Sequence, residues 1–126
     1  MNGKTKGRVR ADGTRGFFER VGEHARRLDA GEPLPAELTV SFEDPADMLR
    51  VLSPERVRLL RSAQAGPKPV STLATKLRRD TRAVSRDVAL LEQFGLLQTR
   101  YDRNPGHGRY KIVETRASRY HLIATI

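Results

Sequence analysis

Residues 53–97 read SPERVRLLRSAQAGPKPVSTLATKLRRDTRAVSRDVALLEQFGLL, and their order of caps, apolar steps and stops decides the fold. Ser53 is an N-cap residue, Pro54 suits the first helical position, and Glu55 sits near the positive end of the helix dipole. A helix opens there, with Val57, Leu60 and Ala63 as its buried stripe and Gly66-Pro67 as its stop. Ser71 is expected to cap a second helix with Leu73, Ala74 and Leu77 inward. Arg78-Arg79-Asp80 forms a short turn, with Asp80 as the cap of a third helix that runs to about Phe94. Val84, Val88 and Leu91 are the seam of that helix, and Gly95 stands where left-handed geometry commonly ends a helix.

Working outward, residues 96–101 alternate, 102–108 concentrate turn formers, and 110–113 read as a returning strand. Together they make a basic β-hairpin directly after three short helices. Residues 119–126 alternate again, with Tyr120, Leu122, Ala124 and Ile126 on one side. Upstream, Leu38, Val40 and Phe42 alternate with Glu37, Thr39 and Ser41, the pattern of a half-buried strand. Asp44-Pro45 opens a short helix to about Val51, with Met48, Leu49 and Leu52 inward. Residues 17–30 carry Phe17, Phe18, Val21, Ala25 and Leu28 at helical steps, with Gly31 as a stop. The expected fold is therefore α+β, a winged helix-turn-helix domain with an N-terminal helix and strand extension. Its expected organisation is a flexible basic arm over 1–16, a helix-strand-helix extension over 17–52, and the winged domain over 53–126.

In that order of elements the third helix presents its exposed face to base edges in the major groove, and the hairpin reaches phosphates or the neighbouring minor groove. With Val84, Val88 and Leu91 inward, Arg82, Ser85 and Arg86 face outward, with Thr81 at the tip. Arginines four apart stack on one helix face, where they can contact phosphates or bind guanine O6 and N7. Arg78 and Arg79 lie in the turn where the phosphate backbone passes, and Asp87 is placed to hold a neighbouring arginine. On the wing, Arg100, Arg103, His107, Arg109 and Lys111 repeat the basic chemistry. The competing reading of every one of these is a solvated basic surface. The two hairpin tyrosines, Tyr101 and Tyr110, are expected to pack inward, which weighs against an RNA-binding reading that needs exposed aromatics.

Charge distribution agrees with a polyanion partner. The chain has 126 residues and a formal charge of +9, with 15 Lys/Arg against 6 Asp/Glu from residue 53 onward and 9 against 9 before it. Such a concentrated excess attracts nucleic acid, with anionic membrane as the rival. No apolar run reaches the roughly 20 residues of a membrane helix, and the basic N-terminus has no apolar segment of the kind a secretory signal carries. With no cysteine there is no disulfide or thiolate site, which fits a cytoplasmic protein. His24, His107 and His121 fall in different elements without ligand spacing, and no glycine-rich phosphate loop occurs. Nothing assembles a nucleophile, a base and oxyanion donors. The expectation is a non-enzyme without cofactor or metal.

The segments SFEDPADMLRVLSPERVRLLRSA and PVSTLATKLRRDTRAVSRDVALLEQFGLL resemble the MarR-like prokaryotic winged-helix regulators, above all a small archaeal and bacterial group of DNA-binding proteins. The resemblance covers about the last two thirds of the chain and is most specific at Val84, Asp87, Val88, Leu91, Glu92, Gly95 and Leu96. It implies a DNA-binding regulator of transcription that is a homodimer and an autorepressor, and the leading reading is sequence-specific binding of double-stranded DNA at two half-sites. Some members of the group are antitoxins. The alternative is therefore an antitoxin that binds its toxin through the N-terminal segment, where residues 16–52 carry 4 Lys/Arg against 8 Asp/Glu. The exit RASRYHLIATI departs from the family pattern in lacking a proline-tyrosine start, which leaves the last strand's pairing open. Strands 38–42 and 119–126 and the helix over 17–28 are the expected dimer contacts, because they lie outside the three-helix core.

Overall fold

The alternation at Leu38, Val40 and Phe42 is satisfied inside the chain, where all three side chains are buried. In a computed structural model that describes residues 6–11, 34–104 and 108–126, the chain forms β1 (Lys6–Ala11), β2 (Glu37–Phe42), α1 (Pro45–Val51) and α2 (Pro54–Gln64). It continues through β3 (Lys68–Pro69), α3 (Val70–Leu77), α4 (Thr81–Gln93), β4 (Leu97–Asn104), β5 (Gly108–Thr115) and β6 (Arg119–Ala124). The helix expected over 17–30 and the wing tip around His107 lie outside the described residues.

One sheet has the order β1-β2-β6, all parallel, with Val40 opposite both Val9 and Leu122. This corrects two expectations. Residues 6–11 are not a loose arm but a strand, since backbone pairing along β2 needs no apolar side chains and so leaves little mark on composition. Likewise the strands expected to need a partner molecule for want of a core find each other. β2 lies at the centre of its sheet, and Phe42 stacks on Phe94 at the end of α4 with ring centroids 5.7 Å apart.

The second sheet, β3-β5-β4, is the wing with its anchor. β4 and β5 pair antiparallel from Leu97↔Thr115 to Asn104↔Gly108, and Lys68 in β3 faces Val113. That short pairing moves the start of α3. Pro69 stands at the cap position, the helix begins at Val70, and no side chain caps it, so Ser71 lies inside the first turn and is not the cap. Lys68 Nζ, freed from the helix, donates to Ser62 O at 2.8 Å and Gly66 O at 3.0 Å and closes the C-terminal end of α2. The caps of α1 and α2 follow the sequence. Ser53 Oγ accepts from Arg56 N at 3.3 Å, and Asp44 Oδ1 accepts from Ala46 N at 2.9 Å.

The core joins both sheets to the helices. Leu59, Leu60 and Ala63 of α2, Leu73, Ala74 and Leu77 of α3, and Val84, Val88 and Leu91 of α4 pack against β2 and against Phe94, Leu96, Leu97 and Val113. Each fully buried Leu or Val contributes roughly 1.5–3 kcal/mol relative to exposure. Two details differ from expectation. Val57 is only half-buried, its place taken by Leu59, and Leu49 is 75% exposed. On seven-residue α1 the face set by Met48, Val51 and Leu52 turns Leu49 about 100° away from the core.

Candidate nucleic-acid interface

α4 is held from within and bare outside. Its buried seam turns Thr81, Arg82, Ser85 and Arg86 to the opposite side, where they and Asp80 line one shallow open depression. Thr81, Arg82 and Arg86 are exposed and Ser85 is half-buried. Among the described residues no carboxylate holds Arg82 or Arg86. Asp80 occupies the N-cap position with an extended backbone, but its side chain makes no capping hydrogen bond. The first amides of α4 therefore point outward beside two cations, an arrangement that favours an anion.

The two turn arginines part company. Arg78 is exposed and is the left-handed cap residue of α3, with φ 53°, its amide donating to Ala74 O and Thr75 O. Arg79 folds inward instead. Its Nη1 lies 2.8 Å from Asp87 Oδ2 and its Nε 3.4 Å from Glu55 Oε2, with 16% of the side chain exposed. The second Asp87 oxygen accepts from Arg56 Nε at 3.0 Å, and Arg56 Nη1 donates to Arg50 O at 2.8 Å. Asp87 thus binds two arginines, one from α2 and one from the turn. Arg79, expected among the phosphate contacts, braces the helix-turn-helix angle in the structure. A partly buried carboxylate needs paired cations, and Arg79 is within reach.

On the wing, Arg100 lies across the strands. Its Nε is 3.3 Å from Glu114 Oε1 and its Nη1 3.5 Å from Asp102 Oδ2, so its charge is already engaged. The backbones of Arg103 and Arg109 pair in register near the tip, while His107 lies outside the described residues. Lys111, opposite Tyr101, is half-buried. Tyr101 is 61% exposed, against the expectation that it packs inward. Exposure rises along β4 from buried Leu97 to Tyr101, so strand alternation alone does not bury a side chain there.

The burial of Arg116 and the contacts it shares with Tyr120 escaped the sequence. Arg116, just after β5, is fully buried, and its Nη1 donates to Gly95 O at 3.3 Å. Tyr120 Oη accepts from Arg116 N at 2.7 Å and donates to Leu96 O at 2.6 Å. Burial pushes the Tyr120 hydroxyl up to about 12, against the opposing pull of the bond from Arg116 and its charge, while burial lowers the Arg116 guanidinium. An arginine beyond the end of a basic strand gives no signal of burial in composition or period. Among the described residues no group of three or more His, Asp or Glu side chains could hold a metal ion, and no helix is long and apolar enough to cross a membrane.

Three helices with the third laid bare, followed by a β-hairpin braced by a short strand, define a winged helix-turn-helix protein. Residues 51–122, more than half of the chain, match the profile of the HVO_A0114 family, and the chain belongs to that family. A solved structure described as a possible transcriptional regulator from Methanosarcina mazei Go1 is similar at 21% identity, with a TM-score of 0.46. The similarity covers 51% of this chain and 56% of that one, so it spans about half of that protein's length. No match was found among curated proteins.

Proposed function

We propose that this protein is a sequence-specific, double-stranded DNA-binding regulator of transcription, with α4 in the major groove and the β4–β5 hairpin as its wing. The observation that carries the reading is the contrast within one cluster of arginines. Arg56 and Arg79 are paired with Asp87, whereas Arg82 and Arg86, one turn apart on the outer face of α4, are left to a partner. Uncompensated like charges at that spacing repel mildly in water, and a duplex supplies both phosphates and guanine edges at that spacing. In this reading Thr81, Arg82, Ser85 and Arg86 read bases, while Arg78, Arg103, Arg109 and His107 touch phosphates and Arg100 holds the wing in shape. The DNA contacts all lie within residues 53–126.

The active unit in this reading is a homodimer that represses its own gene in the cytoplasm, as a MarR-like regulator does. β6 supports it. The strand is an edge of its sheet among the described residues, carries neither proline nor lysine, and exposes Ile123. Antiparallel pairing of two β6 edges keeps the same side chains on the same face in both copies.

The test is a salt titration of binding to the duplex upstream of the gene, to a scrambled duplex and to matched RNA. Affinity for the upstream duplex at least about a thousandfold above the scrambled one, falling steeply with salt, is the expected result. Equal, weak binding to all three would reduce the basic half to a general polyanion surface. Preference for RNA would instead bring exposed Tyr101 forward as a stacking platform.

A further inference from the structure

We propose that Arg116 and Tyr120 form a clamp on the exit of α4 that sets sequence discrimination at its far end, an inference that rests on the DNA-binding reading above. The clamp is built from two hydrogen bonds on two consecutive residues and a third that joins its own two members. Gly95 O takes Arg116 Nη1, Leu96 O takes Tyr120 Oη, and the same hydroxyl takes the Arg116 amide. Gly95, at φ 80°, is where the chain turns out of α4 toward β4. Arg116 and Tyr120 flank the bend into β6, so the clamp ties the helix exit to the start of the strand beside β2.

The chemistry of Arg116 says that the contact is not incidental packing. Its side chain is fully buried, and Nε and Nη2 have no hydrogen-bond partner among the described residues. A buried cation with unpaired donors is costly, and a methionine would fill the space without that cost. What the guanidinium meets is the carbonyl end of α4, the negative pole of the helix, with Glu92 one turn back also favouring its charge. A charge spent there holds one thing in place, the direction of the α4 axis.

Geometry turns that direction into discrimination. From Gly95 to Arg82 the helix is a lever of roughly 20 Å. A tilt of about 5° at the clamp moves the Arg82 end by about 2 Å, several times the width of a good hydrogen-bond range. A bidentate contact to a base edge does not survive that displacement, whereas a flexible arginine follows a phosphate easily. Loosening the clamp therefore lowers preference for the correct sequence more than it lowers affinity for DNA at large. Arg116 and Tyr120 are positioning residues in this scheme and touch no DNA.

The variants are Tyr120→Phe, Arg116→Lys and Arg116→Met in the full chain, studied where each is folded. Two quantities are read: the ratio of affinities for the upstream and scrambled duplexes, and amide hydrogen exchange at residues 94–97. In Tyr120→Phe the ratio is expected to fall about fivefold, the scale of one net hydrogen bond, with scrambled-duplex affinity unchanged. Exchange should accelerate at residues 94–97 and stay slow in α2 and α3. Should Arg116→Met fail to fold, Tyr120→Phe decides alone. An unchanged ratio, or equal weakening on both duplexes, would overturn the clamp as a determinant of discrimination. A parent protein that shows no preference between duplexes would overturn the DNA reading and this inference with it, and the parent is therefore measured first.

Discussion

Arg82 and Arg86 differ from Arg56 and Arg79 in what they lack, a carboxylate partner among the described residues. If they contact bases, Arg82→Ala and Arg86→Ala each cost about 1–3 kcal/mol of binding to the specific duplex, read by titration against the scrambled one. Neither should alter thermal stability, because exposed helix positions tolerate alanine. Arg78 separates charge from conformation. Its left-handed backbone suits glycine better, so Arg78→Gly is expected to stabilise the fold by about 0.5–1 kcal/mol net and yet weaken DNA binding. A single variant that melts higher and binds worse is a signature that simple damage cannot produce. Tyr120 gives a pH signature. Its folded-state pKa is raised to about 12 from an ordinary 10, so its contribution is fully present below pH 10 and is lost as pH rises toward 12. Alkaline unfolding should show a loss of about 2–3 kcal/mol over that window, absent in Tyr120→Phe.

At the scale of elements, Asp87 is the pin of the helix-turn-helix, joining α2 through Arg56 to the α3–α4 turn through Arg79. Asp87→Ala would leave two partly buried guanidinium groups facing each other. Removal of one partner from a buried pair costs about 3–5 kcal/mol, and the residual exposure of all three side chains lowers the expected value to about 2–3 kcal/mol. Urea unfolding measures it directly, and Asp87→Asn, which keeps one acceptor, should fall between. The sequence places Asp87 to hold a neighbouring arginine without saying which one, and puts Arg79 with Arg78 beside the phosphate backbone. Charge alone does not distinguish a brace from a contact when both are arginines one residue apart. The seam Val84, Val88 and Leu91 was legible because a buried helix face must repeat at helical steps. The start of α3 was not, because Ser71 offers a cap that the pairing of Lys68 and Pro69 with β5 overrides. Capping preference is worth about 1 kcal/mol, and a tertiary strand pairing outweighs it.

Across the whole molecule, the local elements were readable and the long-range pairings were not. Strand β2 announced itself by alternation, but that it lies parallel between residues 6–11 and 119–124 depends on contacts more than 25 residues away in sequence, to which periodicity is blind. The clamp of Arg116 and Tyr120 was hidden for the same reason. That topology leaves the outer edge of β6 as the place where a second copy can add, and edge strands are the surfaces through which chains pair. Ile123 lies on this strand, 45% exposed, with its side chain away from the core face of Tyr120, Leu122 and Ala124. In an antiparallel β6–β6 pairing it meets its counterpart or a near neighbour, and a lysine there would place like charges close across the twofold axis. Ile123→Lys is therefore expected to convert a dimer into a folded monomer, read by mass in solution, with an unchanged helical signal. The loss of a second reading head should lower affinity for a two-half-site duplex by about a hundredfold or more while leaving binding to a single half-site intact, since bivalency adds avidity without new contacts. If the variant stays dimeric, the copies meet elsewhere. If the parent is monomeric at micromolar concentration, α4 reads one half-site alone, and the duplex it selects should lack inverted symmetry.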